Sequence, residues 1–317
     1  MSEKIRVGIV GYGNLGKGTE RAVKNSPDFE LVTIFDKRSE TQLEEMQKFV
    51  GKIDIMLLCI GSSVDLPIKT PQILKMFNTV DSYDTHAKIP EYFAAADEVA
   101  KQSDKIALVA TGWDPGLLSV MRALMEGVIP TGKDNTFWGH GVSQGHGEAI
   151  KRVPGVLIAR SYTTPIDATL SEVKAGQQKD YSPRQMHTRD CYVVAKPGED
   201  LERIRQQIVT MPNYFEPYDT KVTFIDMATF EKEHGALPHG GFVSRAGTPE
   251  GSTNKQMMEF SVKMESNPEF TAASMLCYSR ATWRMYKEGR RGAITVFDVP
   301  VGYLTYRDQK ELARTIL

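Results

Sequence analysis

The stretch IRVGIVGYGNLGKG, residues 5–18, joins an apolar, β-branched run (Ile5 to Val10) to a glycine-punctuated turn, and the turn to residues of helical character over 15–25. Gly11, Gly13 and Gly16 stand in G-x-G-x-x-G spacing. In such a loop the first glycine makes the tight turn. The second lets the backbone approach a pyrophosphate, and the third lets helix pack closely on strand. The helix N-terminus then attracts the anion. Gly11, Tyr12, Gly13, Asn14, Leu15 and Gly16 are therefore expected to line a dinucleotide. The spacing alone is weak evidence, and its context strengthens it.

That context is alternation. Strand-like runs follow at 30–35 (ELVTIF), 53–60 (IDIMLLCI), 79–83 (TVDSY) and 105–111 (KIALVAT), with helical segments at 66–77 and 90–102 between them. A nearly all-apolar run such as 53–60 is expected of a strand covered on both faces. Strand, helix, strand at this spacing predicts right-handed βαβ units and a Rossmann-type parallel sheet, so the class is α/β. The pattern changes after Pro115. A helix is expected over 116–127. Alternating strands follow at 135–139, 155–163, 188–196, 219–227 and 256–264, with helices at 198–209 and 269–288. Period-2 alternation predicts a sheet with one solvated or interface face. The expected organisation is a dinucleotide-binding domain over 1–118, an α+β substrate-binding and dimerisation domain over 119–289, and a C-terminal stretch, 290–317, that returns to the first domain. Within that stretch a strand is expected over 293–299 and a helix over 307–317.

Composition narrows the function classes. The 317 residues carry 39 Lys plus Arg against 40 Asp plus Glu, a net charge of −1, so no basic surplus exists to hold a nucleic-acid backbone. The three cysteines, Cys59, Cys191 and Cys277, are odd in number and widely spaced, which fits neither a disulfide framework nor a structural zinc site. The six histidines form no ligand pair, and no metal is expected. No signal-peptide or bilayer-spanning run is visible, so a reduced cytoplasmic compartment and no membrane partner are the expectations.

Candidate site residues cluster where strands end. After the second strand comes Asp36-Lys37-Arg38. An acid there accepts from a ribose 2′-hydroxyl, whereas cations accommodate the 2′-phosphate of NADP. The two adjacent cations favour NADP, and Asp36 leaves the stringency open. Cys59-Ile60-Gly61-Ser62 follows the third strand and is expected to let the cofactor lie close, the alternative being a plain turn with an inert buried thiol. Ser82, Tyr83 and Asp84 end the fourth strand; Thr111, Gly112, Trp113, Asp114 and Pro115 end the fifth. Both groups are expected at the nicotinamide end, with Asp84 and Asp114 gripping a substrate ammonium; either alone could be an Asx turn or helix cap. In the second domain, Trp138 with Gln144 and Gly145 suggests a shaped pocket. Arg189 suggests a carboxylate clamp, with a surface salt bridge as the alternative. His239, followed by two glycines, is expected in a flexible, close-approach loop.

Taken together, VGIVGYGNLGKG (7–18), LLCIGSSVD (57–65), VDSYDTH (80–86), ALVATGWDPG (107–116), TFWGHGVSQGH (136–146), TMPNYF (210–215), LPHGG (237–241) and SNPEFTAAS (266–274) resemble the meso-diaminopimelate dehydrogenase family over nearly the whole chain. The resemblance implies reversible NADP-dependent oxidative deamination of meso-2,6-diaminopimelate at its D-centre, giving L-2-amino-6-oxopimelate and ammonia. It also implies a homodimer and a place in lysine and cell-wall precursor synthesis. Carried over by motif, Asp84, Trp113, Asp114, Trp138, Gln144 and Gly145 would surround the reacting D end, with Asp84 and Asp114 as catalytic candidates and Asp114 first for handling or orienting the amine. Thr163, Arg189, His239 and Asn267 would hold the distal L end, with Asn254 a weaker candidate than Asn267. The family commonly has two basic residues after a small one at the ribose position, from which Asp36 departs. Two rivals remain: a polyol or sugar dehydrogenase using Lys88 of Ala87-Lys88-Ile89-Pro90, and a non-enzymatic nicotinamide sensor.

Overall fold

The computed structural model describes residues 4–36 and 42–317. Two compact units emerge: residues 1–120 together with 268–317, and residues 121–267.

The first unit begins with β1 (Ile5–Val10), α1 (Asn14–Lys24), β2 (Phe29–Phe35), α2 (Gln42–Gln47), β3 (Ile55–Leu58), α3 (Asp65–Leu74), β4 (Asn78–Asp81), α4 (Ile89–Gln102) and β5 (Ile106–Leu108). Helix α5 (Leu117–Val128) runs across the boundary between the units. The second unit holds β6 (Lys133–Trp138), β7 (Gly141–Val142), α6 (Gln144–Lys151), β8 (Val156–Pro165), α7 (Asp167–Lys174), α8 (Pro183–Met186), β9 (His187–Ala195), α9 (Leu201–Val209), β10 (Asp219–Phe224), α10 (Met227–His234), β11 (His239–Gly247) and β12 (Gln256–Met264). The chain then re-enters the first unit through α11 (Asn267–Lys287), β13 (Gly292–Ile294) and α12 (Gln309–Ile316).

The first unit's sheet has six strands in the order β13-β5-β4-β3-β1-β2, every pairing parallel. Alternate side chains of each central strand feed opposite cores. Ile55 and Leu57 point to one face, with Val7, Ile9, Val80 and Leu108. Met56 and Leu58 point to the other, against Leu66, Ile73 and Leu74 of α3 and Tyr92 and Ala96 of α4. That is why β3 reads as an unbroken apolar run. Strand β1 lies between β2 and β3, so the chain reverses its direction across the sheet there. The loops after β1 and β3 therefore flank a topological switch point, where open α/β sheets bind ligands.

Helix α11 corrects the expected domain boundary. The sequence pattern assigns 269–288 to the second domain, yet Met275, Leu276, Tyr278 and Met285 pack into the core of β1, β3 and α1. Arg280 Nη2 donates to Asp28 Oδ1 at 2.8 Å, tying α11 to the turn before β2. Apolar periodicity shows that a helix has a buried face but not which sheet receives it. The final strand is also shorter than expected. It stops at Ile294, because Thr295 and Asp298 form a reciprocal cap that starts a 3-10 turn over Val296–Asp298.

The second unit is mixed α and β, with a four-stranded sheet, β10-β9-β8-β7, and an antiparallel three-stranded sheet, β12-β11-β6. Ile150, Val156, Val193, Ile204, Ile208 and Phe215 form its main core under α6 and α9. Strand β11 overturns the expected flexible loop at 239–241: His239 opens a nine-residue strand paired along its length with β12. Glycine pairs at a strand start resemble a turn in sequence, and only the antiparallel partner distinguishes the two. Among the described residues, no helix is long and apolar enough to cross a membrane.

Candidate active site

In the first unit the site is built mainly of backbone. Gly11 has a φ of +91° at the end of β1. Gly16 sits so close to that turn that a β-carbon on it would lie 2.1 Å from the Gly11 carbonyl oxygen, so only glycine lets α1 seat there. Around Gly13 the opposite holds, with nothing within 4 Å of where a β-carbon would stand. Gly13 is the N-cap of α1, and no side chain caps the helix. An open helix N-terminus beside a backbone that can be approached closely fits a pyrophosphate. Tyr12 is exposed and donates to Glu20 at 2.5 Å, while Leu15 packs against the core beneath.

The next strand end supplies Cys59 to Ser62. Cys59 is buried, its thiol lies 3.3 Å from Thr19 Oγ1, and burial pushes its pKa up to about 12. It is a packed thiol with no nucleophilic role at neutral pH. Ile60 is half-buried against the α3–α4 side. Gly61 N–H donates to Asp65 at 3.1 Å, and Ser62 Oγ accepts from Asp84 N–H at 2.9 Å. That last bond ties the ends of β3 and β4 together. Asp36 follows β2, exposed, with its carbonyl accepting from Gln42 at 2.9 Å. Lys37 and Arg38 lie outside the described residues.

Residues 82–84 and 111–115 emerge from adjacent strands, β4 and β5. Tyr83 is buried and stacks on Tyr92 with ring centroids 4.2 Å apart; Ser82 is half-buried and Asp84 exposed. Thr111 N–H donates to the Asp81 carbonyl at 2.8 Å, and Gly112 N–H to the Pro115 carbonyl at 2.9 Å, which closes the turn carrying Trp113 and Asp114. Trp113 is buried and Asp114 half-buried. Asp84, Trp113 and Asp114 thus share one edge of one sheet. Lys88, the residue a polyol dehydrogenase reading would use, ends an exposed 3-10 turn before α4.

In the second unit, side chains dominate. Thr163 of β8 is opposite both Gly141 of β7 and Arg189 of β9. Arg189 is 5% exposed and donates to Thr163 Oγ1, and its guanidinium lies 4.1 Å from the centroid of the Tyr218 ring. Its Nε has no hydrogen-bond partner, and among the described residues no carboxylate pairs with it. The surface salt bridge weighed from sequence is therefore absent. Burial lowers the pKa of the guanidinium without a compensating anion. It also holds down its neighbours: desolvation, reinforced by Arg189, lowers His146 and His187 to about 4. Both imidazoles are neutral at pH 7. His187 Nε2 accepts from Trp138 N–H at 3.0 Å. His146 Nε2 donates to the Tyr214 carbonyl at 3.1 Å, leaving Nδ1 to accept from Ser143 at 2.7 Å. The interior around Arg189 is one cation among neutral rings, a setting that fits a carboxylate.

Other expected residues converge there. Gly139, with a φ of +106°, follows Trp138; a β-carbon on it would stand 2.0 Å from the Thr163 carbonyl oxygen. Gly139 N–H donates to the Gly240 carbonyl, and Val142 N–H to the Pro238 carbonyl, both at 2.8 Å, which brackets His239. His239 Nδ1 accepts from Gly240 N–H at 2.8 Å. Asn267 N–H donates to the Leu237 carbonyl at 2.9 Å, two residues before His239. Asn254 is exposed, and its N–H donates to Ser252 Oγ at 3.0 Å. Gln144 and Gly145 start α6, exposed, and Trp138 is 38% exposed.

Three participants escape a sequence reading. Tyr218 lies 29 positions from Arg189 and carries no local signal. His187 and Asp81 stand at strand ends. Neither imidazole nor carboxylate spacing, however, reveals that one receives the Trp138 amide and the other is buried. Among the described residues, no group of three or more His, Cys, Asp or Glu is placed to hold a metal ion.

Comparison with known proteins converges on one family. Residues 112–266 match the diaminopimelic acid dehydrogenase C-terminal domain family. The chain is 47% identical to the meso-diaminopimelate D-dehydrogenase of Acetivibrio thermocellus, over 99% of this chain and 98% of that one. It is similar to the crystal structure of C. glutamicum DAP dehydrogenase in complex with DAP, with a TM-score of 0.94, 39% identity and 99% of each chain covered. It is also similar to an engineered D-amino acid dehydrogenase bound to NADP+, with a TM-score of 0.89, 37% identity, and 99% of this chain and 100% of that one covered.

Proposed function

Because the chain belongs to the meso-diaminopimelate D-dehydrogenase family, we propose that it catalyses the reversible NADP-dependent oxidative deamination of meso-2,6-diaminopimelate at its D-centre, giving L-2-amino-6-oxopimelate and ammonia. The observation that carries this reading is Arg189. A buried guanidinium with an unmet Nε, bonded to Thr163 and backed by Tyr218, needs an anionic partner that its own unit does not supply. The substrate's distal carboxylate is that partner. Thr163, His239 and Asn267 complete the group that reads the L end, and Asn267 and His239 are held to one backbone segment.

At the other end, Asp84, Trp113 and Asp114 take the reacting D-centre. The Gly11–Gly16 loop would hold the pyrophosphate, and Lys37 and Arg38 the 2′-phosphate. The 59–62, 82–84 and 111–115 segments would line the nicotinamide half. When bound, the oxidised nicotinamide supplies the acceptor for one hydride. The protein's task is positioning: reactive geometry requires the D-centre carbon about 3–3.5 Å from that acceptor. Trp113 excludes water from the reacting face. Asp114 orients the amine and takes its proton, so that the nitrogen lone pair can drive hydride departure. Water adds to the resulting substrate imine and ammonia leaves.

The reading extends to a homodimer working in the cytoplasm. Light scattering that returned a single-chain mass of 35.4 kDa would remove the dimer. The reaction itself is tested by absorbance at the reduced-nicotinamide band, with NADP+ and either meso-diaminopimelate, the L,L isomer, a polyol or no substrate. Turnover with the meso compound alone is expected. Oxidation of the polyol would restore the rival that uses Lys88, and tight NADPH binding without any turnover would restore the sensor.

A further inference from the structure

Asp81, the last residue of β4, is fully buried, and none of the roles above uses it. Its Oδ1 accepts from Tyr83 N–H at 3.0 Å and from Ala110 N–H at 3.1 Å. Its Oδ2 accepts from Tyr92 Oη at 2.6 Å. Its own carbonyl accepts from Thr111 N–H at 2.8 Å. Tyr92 Oη lies 2.7 Å from Thr70 Oγ1; with the phenol's single hydrogen on the carboxylate, the threonine hydroxyl is left to donate. One carboxylate therefore fastens the first residues of two loops. One runs on to Asp84, the other to Trp113 and Asp114. The second starts from a costly backbone: Ala110 has a φ of +57°, a left-handed conformation that β-carbons disfavour. Its N–H is held by Asp81.

Packing alone does not call for a charge here. A buried charge costs desolvation that an apolar side chain of similar size would avoid, but such a side chain leaves the Tyr83 and Ala110 amides without an acceptor. Burial raises the carboxyl's pKa to about 6, opposed by the bonds from Tyr92, Tyr83 and Ala110. The benefit of the charge falls on the two loops.

We propose that Asp81 is a positioning residue for the reaction: its buried carboxylate, clamped by Tyr92, fixes the spacing of the Asp84 loop relative to the Trp113–Asp114 loop. This rests on the reading that those loops surround the reacting centre. A misplacement of about 1 Å in such a site costs roughly 100-fold in rate.

The test is steady-state kinetics with meso-diaminopimelate and NADP+ on the native chain and three variants, with melting curves alongside. Asp81→Leu removes both acceptors. Its kcat is expected to fall roughly 100-fold, while the KM for NADP+ stays within about threefold because the glycine loop follows β1, two strands away from β4 in the sheet. Asp81→Asn keeps an Oδ1 acceptor for both amides, and Tyr92 can turn to accept from the new amide. It is expected to recover kcat to within roughly tenfold of native. Tyr92→Phe keeps the stack on Tyr83 and both amide bonds to Asp81 while losing the hydroxyl's bonds to Asp81 and Thr70, for a kcat loss of roughly tenfold.

Asp81→Leu with kcat near native, or Asp81→Asn no faster than a folded Asp81→Leu, would overturn the proposal. If Asp81→Leu does not fold, Tyr92→Phe decides, and an unchanged kcat there overturns it as well. No turnover by the native chain would instead remove the underlying reading, and this inference with it.

Discussion

Two buried charges, one in each unit, are treated differently by the chain around them. Asp81 in the first unit accepts from two backbone amides and a phenol, and the rest of its strand is fully buried. Arg189 in the second unit is almost as deeply buried, yet among the described residues its Nε has no hydrogen-bond partner and no carboxylate pairs with it. A buried charge met by its own chain braces structure. A buried charge left unmet is costly, since an unpaired polar group loses its hydration without replacement. Under the proposed function, the difference separates a part that holds the site from a part that waits for substrate.

The largest expected effect breaks that contrast at Arg189. Arg189→Met should lower kcat/KM for meso-diaminopimelate by roughly 100- to 1,000-fold, about 3–4 kcal/mol for two charge-assisted hydrogen bonds. Affinity for NADP+ should hold. Without substrate the variant should be at least as stable as native, because replacing a buried unpaired cation with an apolar side chain removes a desolvation cost. A loss below tenfold, or a protein destabilised in its empty form, would show that Arg189 is structural after all.

A smaller effect comes from the neutral ring beside that cation. His187 is lowered to about 4 by desolvation and then by Arg189, and its Nε2 must accept from Trp138 N–H. Its folded value lies below the unfolded one, near 6.5. Between those values the unfolded chain binds more protons, so stability falls as pH drops below about 6.5. From pH 6.5 to 5 the loss from this group is about 2 kcal/mol. Asp81 has the opposite sign. Its folded value is raised to about 6, so its contribution favours the folded state at low pH and is lost as pH rises toward 6. Urea midpoints of native, His187→Gln and Asp81→Asn proteins between pH 4 and 8 separate the two. The glutamine variant should flatten the acid-side loss, and the asparagine variant should steepen it.

The same contrast explains what was legible in the sequence. Backbone-built features leave local marks. Gly11, Gly13 and Gly16 announce the loop, and the all-apolar run around Ile55–Leu58 announces a strand covered on both faces. Charges whose meaning depends on distant partners leave none. Arg189 reads equally well as a clamp or a surface ion pair until Thr163 and Tyr218 are placed around it. His239 reads as loop until β12 pairs with it. Helix α11 shows its apolar face in sequence but not which sheet receives it, and its core contacts lie in the first unit. The roles of Thr163 and Asn267 came from family resemblance rather than from spacing.

The last way to sharpen the comparison lies in the glycine loop, where the ligand-facing surface is backbone rather than side chain. Gly13 has a φ of −77° and open space around its missing β-carbon. Gly13→Ala should therefore leave the melting temperature of the empty protein nearly unchanged. If the pyrophosphate lies against that backbone, the added methyl occupies its place, and NADP+ affinity should fall roughly tenfold, about 1.4 kcal/mol. Gly16→Ala is the control. Its methyl would press on the Gly11 carbonyl even with no ligand present, so stability and affinity should fall together. Titration calorimetry with NADP+ beside melting curves reads both. A Gly13→Ala protein that binds NADP+ as tightly as native would mean that the pyrophosphate does not approach this turn, and the first unit would lose the feature that sets it apart from the second.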